Sequence, residues 1–244
     1  LPGLGLVGML AAEHLVSELK AKKFAELYSP DFPPQVTIKQ DSTIAARKNE
    51  FYYWKAEEKG QKDIIILVGD DQGLTVQSQY HLCGLALDLA EHYKTKMIYT
   101  LGGYGMQRMS KAPRVFGAVT HKTMIRDFKK QGVIFQKTGG AIIGAAGLLL
   151  GLGKLRGMKG ICLMGETHGN YIDPRSAKSV LSVVCGSLRM KISYDKLEEN
   201  ARKTEELISK AESEKRSQQQ PLMDGAVPGL GETPLDKDHL SYIR

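Results

Sequence analysis

The chain has 244 residues, 42% of them hydrophobic and 25% charged, enough for one sizeable core and ordinary for a globular protein. Its net charge of +7 favours acidic partners in general, but the basic residues are scattered, which argues against nucleic-acid recognition. No run of about eighteen apolar residues occurs, so no membrane span is expected. The three cysteines, Cys83, Cys162 and Cys185, sit far apart in apolar runs, which excludes a disulfide framework or a zinc motif and fits buried thiols in a reducing cytoplasm.

The chain opens LPGLGLVGMLAAEHLVSEL, in which Gly3, Gly5 and Gly8 spell G-x-G-x-x-G before an apolar helix. Such a turn can hold a pyrophosphate against a helix N-terminus. It also requires a preceding strand and an acid for the ribose. Asp41, after a strand expected at residues 36–40, stands a little late for that role. A tight strand-to-helix turn packed against neighbouring backbone is the preferred reading of the glycines.

Further along, FYYW at 51–54 reads as an aromatic strand and EEKGQKD as a polar turn. IIILV at 64–68 reads as a strand covered on both faces. A long helix is expected over 74–93, a strand at 97–101, another at 115–120, a short helix over 123–131 and a short strand at 133–135. The glycine-punctuated run TGGAIIGAAGLLLGLG predicts a buried helix over roughly 141–156, and GICLM at 160–164 predicts a buried strand. Asp173-Pro174 supplies an N-cap and a first-turn proline for the helix that follows.

Strands alternating with helices predict an α/β fold with a mainly parallel sheet flanked by helices. Residues 1–193 form this core, with its first strand expected before Leu1. A charged C-terminal helix follows over 194–216, with a thin seam of Leu197, Ala201, Thr204, Ile208 and Ala211 that suits packing on its own domain. Residues 217–244 then read as a flexible tail rich in Gly and Pro. The tail closes with HLSYIR. Hydrophobic residues at the end of a polar tail gain nothing unless they dock.

Ligand sites in parallel sheets lie beyond the strand C-terminal ends, here Gly69-Asp70, Gly102-Gly103-Tyr104, Thr120-His121 and Gly165-Glu166-Thr167-His168. Glu166 and His168 are candidates for an acid/base pair, yet no nucleophile or orienting group accompanies them. Asp70 and Asp71 suit turn capping better than metal binding, because adjacent carboxylates diverge on an extended chain. His14, His81, His92, His121 and His239 have no metal-ligand spacing. No metal or cofactor is expected, and the chemical inventory is thin for an enzyme.

GLGLVGMLAAEHL, FYYWK, IIILVGDDQG, YTLGGYG, VFGAVTH, the TGG…GLLLGLG stretch and CLMGET follow one another in an order that resembles the archaeal homologues of the proteasome assembly chaperone family, over about residues 1–190. The resemblance implies an α/β fold similar to phosphorylases and nucleosidases, without their catalysis. It implies a homo-oligomer that assists assembly of the 20S proteasome by binding its α-subunits, and it makes the opening glycines structural. Proteasome-binding proteins often end in a hydrophobic residue, then Tyr, then any residue, inserted between α-subunits with the terminal carboxylate on a lysine. Here Tyr242 is third from the end, so the docking segment implied is Leu240, Tyr242 and Ile243, with Arg244 supplying the carboxylate. The competing expectations are a nucleoside phosphorylase-like enzyme acting at the strand-end loops, and a dinucleotide-binding protein.

Overall fold

The computed structural model describes residues 1–219, with side chains through Leu207. They fall in two units, Leu1–Thr204 and a second beginning at Glu205.

The first unit opens with a 3-10 turn, Leu4–Leu6, and helix α1, Val7–Glu18. Strands β1 (Lys22–Leu27), β4 (Asn49–Trp54) and β5 (Ile64–Gly69) form an antiparallel sheet in the order β1-β4-β5. Between β1 and β4, strands β2 (Val36–Ile38) and β3 (Ile44–Ala46) form a separate two-stranded ribbon. Helix α2 (Val76–His92) starts at a capping box, in which Thr75 and Ser78 satisfy each other's backbone N–H groups. Strands β6 (Met97–Gly105), β7 (Val115–Val119) and β8 (Lys159–Thr167) form a mixed sheet with β8 in the centre. Helices α3 (Ile125–Lys129) and α4 (Ala145–Leu155) lie between β7 and β8 in sequence, and α5 (Pro174–Leu188) follows β8.

The expectation of a mainly parallel sheet is corrected. β6–β8 is the parallel strand pair; β1–β4, β4–β5, β2–β3 and β7–β8 are antiparallel. Parallel neighbours need a crossover, normally helical. The links between β4 and β5 and between β6 and β7 are short loops without one, so each pair of strands reverses direction. The strand expected at 133–135 is reduced to a single bridge between Phe116 and Ile134.

β8 explains why GICLM is apolar throughout. Its Ile161, Leu163 and Gly165 face α5 and α1, where they join Val7, Ala11, Val180 and Leu181 in the main core. The alternate face meets α4: a Cβ at Gly160 would run into Leu150. Burial on both faces leaves no position for a polar residue in the strand centre. Helix α5 begins as expected, with Asp173 accepting from the Ser176 N–H at 2.9 Å and Pro174 in the first turn.

Cys83, Cys162 and Cys185 are buried free thiols, and burial pushes Cys83 and Cys185 up to about 11. The charged helix α6 runs Asp195–Gln219. Within the first unit it buries Leu197 and Ala201 of the expected seam; among the described residues, the second unit is the continuation of this helix. No helix among the described residues is long and apolar enough to cross a membrane.

Candidate functional site

The opening turn sits on the C-terminal ends of β6 and β8. Gly5 has φ +61°, and a Cβ there would lie 2.7 Å from Thr167 Oγ1 and close to Asp173. A Cβ on Gly8 would run into the carbonyl oxygen of Leu101 in β6. Gly3 is extended, and its nearest neighbour would be 3.9 Å away. Two of the three motif glycines therefore serve close packing, Gly8 against backbone and Gly5 against side chains. Asp173 also donates its backbone N–H to Gly5 O at 2.9 Å, which brings a helix-capping carboxylate beside the turn where an anionic pyrophosphate would need to lie. Asp41, the candidate ribose acid, is exposed at the tip of the β2–β3 ribbon. It accepts from the Thr43 N–H and hydroxyl, an ordinary turn brace.

Gln72 ties three segments together at this rim. Its side-chain amide donates to Pro2 O, and its Oε1 accepts from the Ala145 N–H at 2.9 Å, capping α4. Asp70 and Asp71 are turn residues: Asp70 accepts from the Lys48 N–H, and Asp71 pairs with Arg47 Nε at 2.7 Å. Among the described residues no group of three or more His, Cys, Asp or Glu side chains could hold a metal ion.

Glu166 is wholly enclosed, with 0% exposure. Its carboxylate accepts from the Arg114 N–H at 3.1 Å, Nε at 3.1 Å and NH2 at 2.8 Å. The Arg114 guanidinium lowers its carboxyl to about 2, against the opposing effect of burial. Ser176 in turn donates to the Glu166 backbone carbonyl. His168 lies exposed beyond the strand, with Nδ1 3.1 Å from Met106 O. The structure thus gives Glu166 and His168 separate partners. A carboxylate held ionised near neutrality cannot donate a proton, and a base this weak accepts one poorly.

Thr120-His121 does not belong with the other strand ends. Because β7 runs antiparallel to β8, Thr120 lies beside Gly160 at the start of β8, where its hydroxyl accepts the Gly160 N–H. His14 is buried against Ser193 O at 2.7 Å and stacks on Tyr194, bracing α1 to the segment before α6.

The cavity at the rim, lined by Leu27, Asn49, Asp71, Gln72 and Ala145 among others, holds about 10 Å³. That is the space of one water, far below the ~300 Å³ of a small-molecule pocket. The rim instead presents exposed apolar side chains: Leu4 of the opening turn, Leu74 and Val76 after β5, Ile143 before α4, and Tyr171 and Ile172 after β8. Single exposed apolar residues are normal; six around one set of strand ends suit contact with another macromolecule. Sequence reading missed this set because its members are spread over four separate segments of the chain. The expected docking residues Leu240, Tyr242, Ile243 and Arg244 lie outside the described residues.

The pattern of the PAC2 family matches residues 1–212. MJ1210, an uncharacterized protein of Methanocaldococcus jannaschii, is 43% identical over 210 residues, covering 86% of this chain and 80% of that protein. PbaB of Pyrococcus furiosus, an archaeal proteasome activator, superposes with a TM-score of 0.82 at 48% identity, over 86% of this chain and 90% of its own. PbaA of the same organism, an archaeal homolog of proteasome-assembly chaperone, superposes with a TM-score of 0.74 at 25% identity, over 90% of this chain and 88% of its own. With the family pattern spanning the whole of the first unit and these relatives sharing its fold, the chain belongs to the PAC2 family.

Proposed function

We propose that this chain is a non-enzymatic proteasome assembly chaperone, which binds 20S α-subunits as a homo-oligomer in the cytoplasm. The observation that carries the reading is the match, over 86% and 90% of this chain, to PbaB, an archaeal proteasome activator, and PbaA, an archaeal homolog of proteasome-assembly chaperone. The apolar rim supports it, as does a strand-end cavity too small for a substrate. Leu240, Tyr242, Ile243 and Arg244 form the docking element. Several tails on one oligomer raise the effective concentration of each, so weak contacts hold α-subunits together long enough for correct ring closure.

The higher identity to PbaB favours a second reading, a proteasome activator that acts on assembled particles. Native mass spectrometry separates the two. The intact chain and a chain ending at Asp236 are each mixed with free α-subunits and with assembled 20S particles, and peptide hydrolysis is followed in the latter. Complexes with free α-subunits that need residues 237–244 support the chaperone reading. Binding confined to assembled particles, with faster hydrolysis, replaces it by the activator reading. Binding that survives truncation moves the contact to the folded body, and no binding to either overturns both readings. A nucleoside phosphorylase-like reaction would need Glu166 to handle protons, and its clamp by Arg114 opposes that.

A further inference from the structure

We propose that the apolar face of the β2–β3 ribbon is the contact surface for the same face of a second copy of this chain. The register pairs Val36 with Ala46 and Ile38 with Ile44. Directly paired residues share a face, and so do residues two apart along a strand. All four side chains therefore lie on one side of the ribbon, with Thr37 and Ala45 on the other. That side is open: Val36 is 54% exposed, Ile38 73% and Ile44 68%.

An isolated two-stranded ribbon is marginal in water unless a third strand or another body covers its apolar face. Among the described residues no third strand pairs with β2 or β3. Charge selects the occupant. The whole chain carries a net charge of +7, so two copies repel unless they meet through a neutral surface. Residues 36–38 and 44–46 carry no charge, and Lys39 and Asp41 at the turn cancel. An acidic partner would be drawn to the basic surface elsewhere; this patch suits a like-charged twin, related by a two-fold axis.

Area sets the strength. The three large side chains expose roughly 350 Å² per copy, the size of the largest apolar patch on a typical monomer. Two copies face to face bury about 700 Å², short of the ~1,200 Å² at the low end of stable interfaces, so the contact is concentration-dependent. The proposal deepens the homo-oligomer part of the reading above and rests on that part alone.

The test is sedimentation velocity of the full chain over a wide concentration range, for wild type, Ile38→Lys, Ile38→Glu and an equimolar mixture of the two variants. Far-UV circular dichroism checks each fold. Wild type should gain mass with concentration, each single variant should weaken self-association by at least about tenfold, and the mixture should recover it, because opposite charges then face each other across the two-fold axis. If the charged variants unfold, the double variant Ile38→Thr/Ile44→Thr keeps strand propensity while removing the apolar face, and should weaken association similarly. Undiminished association of correctly folded variants overturns the proposal and leaves the homo-oligomer standing on another surface. A wild type that stays monomeric overturns both. A mixture that fails to recover shows that the face meets a different surface. Loss of α-subunit binding with self-association intact assigns the ribbon to the proteasome subunit instead, and overturns the proposal.

Discussion

Replacing Gly8 with alanine tests whether the opening glycines are structural. Two effects compete. Alanine in a helix is favoured over glycine by about 1 kcal/mol. Against this, the new methyl group would run into the carbonyl oxygen of Leu101, a backbone atom in β6 that cannot rotate away. Relief requires α1 to move, and α1 carries Val7 and Ala11, both at 0% exposure in the main core. Forced overpacking of a core costs about 1–3 kcal/mol and more where backbone is involved. The clash wins, and a net loss of about 2 kcal/mol is expected, a fall in Tm of about 4–8 °C for a chain of this size. Gly3→Ala is the control: its Cβ would find nothing closer than 3.9 Å, in extended backbone that any residue adopts, so its Tm should match wild type. Thermal unfolding followed by circular dichroism measures both, and titration with NAD and NADP should show no binding to any of the three proteins. A Gly8→Ala protein more stable than wild type would refute the packing argument. Dinucleotide binding lost on mutation of either glycine would restore the cofactor reading.

Other outcomes follow from the same structure. Arg114→Ala should lower Tm at neutral pH, and the gap from wild type should close in acid. The Glu166 carboxyl is lowered from 4.5 to about 2, so the clamp's contribution is complete above pH 4.5 and disappears as pH falls through about 2; a gap that stays constant across that window contradicts the assignment. Asp173→Ala removes the acceptor of the Ser176 N–H and should cost about 1 kcal/mol by urea denaturation, with aspartate-to-asparagine nearly neutral. Cys83, Cys162 and Cys185 are buried and their thiols are raised by desolvation, so iodoacetamide at neutral pH should label none until the protein unfolds. Rapid labelling of one thiol in the native protein would reveal local opening around it.

The elements with strong local signals were legible in the sequence. IIILV and GICLM are strands, and Asp173-Pro174 starts a helix, because burial and capping are decided within a few residues. Strand direction was not, because it depends on whether a connection can host a crossover, and loop 55–63 is as polar as any helix-flanking turn. β1 was also hidden. KKFAEL is an edge strand whose Lys22 and Lys23 face water, and that charge suppresses the alternation that marks a strand. Helix α4 begins at Ala145 rather than near 141 because Gln72, more than seventy residues earlier, caps its first N–H while Gly144 holds φ +83°. At the rim, the residue types were legible and their use was not. Glu166 looks catalytic in a one-dimensional reading, and only the fold brings Arg114 to it from across β7 and β8.

The rim separates what this scaffold can do from what its architecture suggests. An open α/β sheet offers its strand ends as a natural ligand crevice. Here four polar side chains near those ends have structural partners within the chain: Glu166 with Arg114, Asp71 with Arg47, Gln72 with Pro2 and Ala145, Asp173 with Ser176. A group held this way is rigid, and moving it to engage a substrate would leave its partner unsatisfied, at a cost of about 1–3 kcal/mol for each bond broken. The rim also presents exposed apolar surface, and the β2–β3 ribbon adds a second such patch. Apolar patches on a braced body bind other surfaces without discriminating small molecules. Two distinct patches also allow one face to build the oligomer while the other stays open to a client. That division of labour predicts that charged substitutions on the ribbon and on the rim are separable: Ile38→Glu should impair self-association with α-subunit binding per monomer retained, and Leu74→Glu the reverse. If both variants impaired the same property to the same extent, the two patches would belong to one continuous interface and the separation would fall.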